Sequence, residues 1–219
     1  MNLRKPMASF FAAAMLLAGC SLDLGASNRN GPTDGASPSG NQSPSATALN
    51  KLEDFYKQKV AWSKCKKHPA NECANVKVPL DYKKPGGKTI TIAMMKVPAK
   101  SGKPIGTLFV NPGGPGGSGI DLAANASEAF SAAVRNKYDI VGFDPRGVGS
   151  STAVDCVSDA ELAKIIDTDV DLSTPEGQQT DKAITEQEAK GCQEKSGELL
   201  AHVGTESAAR DLDDLRGLK

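Results

Sequence analysis

The sequence predicts an α/β fold in which an antiparallel hairpin is followed by parallel strands with helices. Three observations carry this. Residues 74–80 (ANVKVPL) and 88–97 (KTITIAMMKV) are β-rich runs joined by the turn signal Lys84-Pro85-Gly86-Gly87. Residues 106–111 (GTLFVN) form a short, almost wholly apolar run, as for a strand buried on both faces. A glycine turn, a helical pattern and a second apolar run at 138–143 (YDIVGF) come next, which is the order of a βαβ unit with a right-handed crossover.

The elements follow in chain order. Residues 1–7 carry Arg4 and Lys5 and no acid, and residues 8–17 are apolar, a length suited to a signal-peptide core and too short to span a bilayer. Leu17-Ala18-Gly19-Cys20 resembles a bacterial lipobox, which implies that Cys20 is lipidated and becomes the new N-terminus. Residues 1–19 are therefore expected to be a lipoprotein signal peptide, and the membrane is a partner through the lipid anchor. Of residues 21–50, 19 of 30 are Ser, Gly, Pro, Asn or Thr, too little apolar surface to offset ordering entropy. Residues 20–50 thus read as the lipidated cysteine and a disordered tether, and 51–219 as the globular part. Within it, Ile120, Ala123, Ser127, Phe130 and Val134 fall at helical spacing, and helical patterns cover 159–166, 175 to about 195, and 206–218.

With Cys20 assigned to lipid, Cys65, Cys73, Cys156 and Cys192 remain, an even count that suggests two disulfides outside the reducing cytosol. Three connectivities are possible, and sequence proximity favours Cys65–Cys73 with Cys156–Cys192. A zinc site is the rival, but there is no CxxC pair and His68 and His202 sit at no ligand-like spacing, so no metal is expected.

The 26 basic and 26 acidic residues balance, which argues against a nucleic-acid partner. Charge is uneven along the chain: residues 51–110 hold 13 Lys against 4 acids, and residues 155–219 hold 7 basic against 16 acidic. The lysines are scattered through hairpin and turn positions, which describes a solvated surface better than a face for anionic polymers.

Chemistry concentrates in Asn111-Pro112-Gly113-Gly114-Pro115-Gly116-Gly117-Ser118-Gly119, between a buried strand and a helix. Gly114 to Gly119 (GPGGSG) satisfies GxGxxG, and Asp144 at the end of the next strand could serve a dinucleotide. Two prolines stiffen that loop, however, and the acid lies far downstream, so no cofactor is expected. The better reading is an oxyanion loop. In α/β-hydrolases a glycine-rich turn after the third strand aims a backbone N–H at the tetrahedral oxyanion of acyl transfer.

The loop resembles the His-Gly-Gly-Pro-Gly turn of prolyl aminopeptidases, with Pro112 in place of the histidine. That departure matches the actinobacterial tripeptidyl aminopeptidase-like family of exported α/β-hydrolases, which the chain resembles over about residues 62–219. The resembling pieces are residues 73–82 (CANVKVPLDY), the loop, residues 139–151 (DIVGFDPRGVGSS), Cys156 with Cys192, and residues 208–216 (AARDLDDLR). The resemblance implies the N-terminal part of an α/β-hydrolase sheet, incomplete, with Gly113 or Gly114 as the oxyanion donor and Asp144 and Arg146 shaping the turn after the fourth strand. It also implies a Ser-His-Asp triad that removes short N-terminal peptides from a peptide substrate.

No GxSxG occurs in the 219 residues. In the resembled family the triad lies beyond the position of Lys219, so no catalytic residue is expected in this chain and it is expected to be inert alone. About 170 residues remain for the domain, where such enzymes need roughly 250 or more. The apolar strand at 106–111 would then lack its neighbour, an aggregation hazard. A non-catalytic, surface-binding lipoprotein is the alternative role.

Overall fold

The computed structural model describes residues 46–218. The expectations for residues 1–19 and for Cys20 lie outside the described residues. The chain enters through α1 (Ala46–Tyr56), which includes the last five residues of the segment 20–50. Five strands follow in one sheet: β1 (Ser63–Lys64), β2 (Glu72–Pro79), β3 (Thr89–Val97), β4 (Gly106–Val110) and β5 (Tyr138–Phe143). Their spatial order is β1-β2-β3-β5-β4. The hairpin is antiparallel from Glu72↔Lys96 to Pro79↔Thr89, β3 and β5 are antiparallel, and β4 and β5 are parallel from Gly106↔Tyr138 to Val110↔Gly142.

Strand alternation sorts side chains onto two faces. Val76 and Val78 of β2, Ile90, Ile92 and Met94 of β3, and Val141 and Phe143 of β5 are buried on one face with Leu199 and Leu215. Met95 of β3, Val110 of β4 and Ile140 of β5 are buried on the other face with Ala123, Ala126 and Cys65. Burying one such aliphatic side chain contributes about 1.5–3 kcal/mol.

The helices are α2 (Gly119–Ala124), α3 (Ala126–Ala129), α4 (Ala132–Lys137), α5 (Asp159–Asp167), α6 (Pro175–Leu200) and α7 (Thr205–Gly217). Their starts are written locally. Ser158 and Glu161 form a reciprocal capping box on α5, and Thr174 caps α6 with Pro175 in its first turn. The helical pattern over 120–134 is not one helix but three. Asn125 ends α2 at φ −93°, and Ser131 caps α4 by accepting from the Val134 N–H. The periodicity survives the breaks because all three pieces lie along the same crossover.

A second correction concerns β4. It was expected to be buried on both faces, but Gly106 and Thr107 are exposed, Leu108 and Phe109 are half-buried, and only Val110 is buried. The cause is position: β4 ends the sheet, with β5 as its one neighbour. Both disulfides form as proximity favoured. Cys65–Cys73 closes the turn that brings β1 onto β2, and Cys156–Cys192 ties the segment before α5 to α6. Each contributes roughly 2.5–4 kcal/mol by shrinking the unfolded ensemble. Among the described residues no helix is long and apolar enough to cross a membrane.

Candidate functional site

The glycine loop leaves the C-terminal end of β4 and is exposed from Asn111 to Gly116. It is a bent, glycine-dependent segment, with φ of +81° at Gly113, +129° at Gly114 and +91° at Gly116, and a cis peptide at Gly114–Pro115. These angles disfavour any residue with a Cβ. The Gly113 N–H donates to Asn111 Oδ1 at 3.1 Å, and the Gly117 N–H donates to the Gly113 carbonyl at 3.1 Å. The Gly114 N–H has no acceptor among the described residues. Of the two candidate oxyanion donors, then, Gly113 is already engaged and Gly114 is available.

The loop is anchored where it becomes α2. Gly119 packs so closely on the backbone of Phe143 that a Cβ there would overlap it. Ser118 Oγ accepts from the Asp121 N–H at 3.0 Å, which caps α2, and donates to Asp144 Oδ1 at 2.6 Å. Its proton is therefore committed to a carboxylate, as befits a structural rather than a nucleophilic serine.

Asp144 is 2% exposed and collects three donors: Ser118 Oγ, the Ile120 N–H at 3.2 Å and the Ser150 N–H at 2.7 Å. One carboxylate thus fastens the exit of the glycine loop to the turn after β5. It faces into the protein and has no oxygen turned toward a ribose, so the dinucleotide reading loses its acid. Ser151 Oγ extends the same turn, donating to the Asp144 carbonyl at 2.5 Å and accepting from the Ala93 N–H at 2.8 Å.

Arg146, two residues on, is 2% exposed. Its Nε donates to Asp211 Oδ2 at 2.7 Å and its Nη2 to Asp211 Oδ1 at 2.5 Å, a two-pronged pair with the carboxylate. The remaining donors satisfy the carbonyls of Pro79, Leu80 and His202 at 2.9–3.0 Å. The Tyr82 ring lies beneath the guanidinium, 5.3 Å from its centroid. Burial, followed by the two nearby aspartates, pushes the Tyr82 phenol far above its ordinary range. Tyr82, Asp211 and Asp214 are the partners that residue-by-residue reading left without a role. The available signal was two aspartates spaced by three on the face of α7 that also carries Leu215.

His68 and His202 serve through their carbonyls, which accept from the Asn71 N–H and from Arg146. The four cysteines that a zinc site would need are paired with each other.

No protein-family model matches the chain. Individual relatives do. The chain is 37% identical over 224 residues to carboxylesterase B of Mycobacterium tuberculosis, covering 97% of this chain and 41% of that relative. It is 40% identical over 149 residues to the tripeptidyl aminopeptidase of Streptomyces lividans, covering 66% of this chain and 28% of the relative. It is 40% identical over 169 residues to the serine protease Hip1 of Mycobacterium tuberculosis, covering 73% and 32%. The chain is thus a sequence relative of α/β-hydrolase-type proteins named carboxylesterase, tripeptidyl aminopeptidase and serine protease. It spans about two fifths of the length of the first of these relatives. Within an α/β-hydrolase, a glycine loop at the C-terminal end of a strand is where the oxyanion donor sits, and the mixed five-stranded sheet with its helices fits that fold.

Proposed function

We propose that this chain carries the oxyanion-loop portion of an exported, lipid-anchored serine exopeptidase that releases short peptides from the N-termini of peptide substrates. One observation carries the reading: an exposed loop holds the Gly114 N–H without an acceptor, at the strand end where acyl-transfer enzymes stabilise the tetrahedral oxyanion. Asp144 and Ser118 hold the loop in place, so the donor is oriented before substrate arrives. The names of the relatives support a serine hydrolase of this type. The 219 residues contain no GxSxG, so they offer no nucleophile of their own. The export and anchoring parts of the proposal rest on residues 1–20.

The test is a chimera in which residues 51–219 replace the matching stretch of the Streptomyces lividans tripeptidyl aminopeptidase. The chimera should react with a fluorophosphonate probe and release tripeptides, whereas the 219-residue chain should not label. Gly114→Ala in the chimera forces a Cβ onto a φ of +129° and displaces the donor, so kcat should fall by about 10²–10³. Gly113→Ala should cost less, because the Gly113 N–H is already engaged by Asn111 Oδ1 and its Cβ would add only the strain of a φ of +81°. A folded chimera that releases nothing would overturn the reading in favour of a surface-binding role. Anchoring has its own check: Cys20→Ser should move the protein from the membrane pellet to the soluble fraction.

A further inference from the structure

The cluster around Tyr82 contains more acceptors than protons. The Tyr82 hydroxyl oxygen lies 2.8 Å from Asp211 Oδ1 and 2.8 Å from Asp214 Oδ2. Both aspartates are almost wholly buried, at 0% and 1% exposure. A phenol has one O–H and can donate to one carboxylate. If both aspartates were ionised, one would face a lone pair at hydrogen-bond distance in a buried setting. The pair is fully satisfied only when a second proton resides on it.

Its location follows from the counter-charges. Asp211 is gripped on both oxygens by Arg146, whose remaining donors go to carbonyls, so the one buried cation among the described residues is fully used. Asp214 has no such cation. The groups facing it are Tyr82 from the loop after β2, Tyr56 from α1, and Asp211 and Asp213 from its own helix. Tyr56 donates to Asp213 Oδ2 at 2.6 Å, and the hydrogen bond to that aspartate is the main reason its phenol is raised well above its ordinary value. Two further cations lie nearby and both are paired: Arg210, 5.6 Å from the Tyr82 ring centroid, with Glu206 at 2.9 Å, and Arg216 with Asp213 at 2.7 Å.

We propose that Asp214 is held as the neutral acid and donates to Tyr82, which donates to Asp211, and that this proton latches α7 to the sheet. Arg146 and Asp211 then cancel, and the cluster is buried without net charge. Deprotonation leaves an uncompensated carboxylate against Tyr82 and beside Asp211, which favours release of α7. Burial is the largest cause that pushes the Asp214 carboxyl up, to about 6 from 3.8. Burial also pushes Asp211 up, while Arg146 and Tyr82 pull it back.

The sign follows from linkage. Between the two values folded Asp214 binds more protons than unfolded Asp214, so its contribution to stability falls as pH rises through about 4 to 6 and is flat outside that window, against the rising contribution of carboxyls held low, such as Glu72 and Asp213.

The experiment uses the 219-residue chain in two measurements. Carboxyl carbon NMR of Asp-labelled protein should show one aspartate titrating near pH 6, absent from Asp214→Asn. Urea denaturation from pH 4 to 8 should show the midpoint falling across the same window. In Asp214→Asn the amide keeps a donor for Tyr82, so the fall between about pH 4 and 6 should shrink relative to the parent and the pH 7.5 midpoint should exceed that of the parent. Asp213→Asn, at a solvent-facing neighbour, should leave the titration in place. Two results would overturn the latch: every aspartate titrating below pH 4.5, or Asp214→Asn failing to fold or retaining the parent's pH profile.

Discussion

Arg146 shows how one side chain can be central to a fold and still be half legible. The turn residues Asp144-Pro145-Arg146 stand out because they lie in a stretch, residues 139–151, that carries the family resemblance. The identity of the partner does not, because Asp211 lies 65 residues away and helical spacing alone cannot say which face of α7 is buried. Asp144 was placed at the turn, yet its bond to Ser118 is equally invisible, since it joins two loops through tertiary packing. The residue-scale prediction concerns the buried pair. Arg146→Ala strands Asp211 without a cation and frees three carbonyls, so it should cost about 3–5 kcal/mol in urea denaturation at pH 7. Arg146→Lys should recover little of this, because an ammonium cannot reproduce the two-pronged geometry. Wild-type stability in Arg146→Ala would mean that Asp211 is neutral without it.

The strands were more legible than the helices between them. Alternation in residues 74–80 and 88–97 reads directly as two faces, and both runs pair along their length in β2 and β3. A two-residue strand such as β1 has no period to detect, and its pairing depends on the turn closed by Cys65–Cys73. The three short helices escaped notice because their breaks rest on single residues, Asn125 and Ser131. The edge of β4 is the element with a consequence for handling the protein. Among the described residues its outer N–H and C=O groups have no strand beside them, and the centre of the strand is Leu108 and Phe109. Such an edge templates pairing with a second chain. The 219-residue chain should therefore show concentration-dependent association by light scattering. Thr107→Lys, at an exposed edge position, should suppress it without lowering the unfolding free energy from urea denaturation by more than about 0.5 kcal/mol. Association unaffected by that charge would exonerate the edge.

At the scale of the whole molecule, the sheet has helices on both faces, and α7 holds to distant parts of the chain. Leu215 enters the same core as Val76 and Ile92, Tyr82 reaches Asp211 and Asp214, and Tyr56 reaches Asp213. The motif order along the sequence announced the family, whereas this long-range closure did not appear in any single motif. Closure across such separations also imposes a timetable. A chain made from its N-terminus completes β5 at Phe143 and adds Arg146 directly afterwards, but Asp211 is made 65 residues later. At roughly 5–20 residues per second that interval is about 3–13 s. During it the sheet carries a cation with no counter-charge and one face without Leu215. The contacts that close this face, Leu215 in the core and Asp211 on Arg146, are therefore the last to become available as the chain is made.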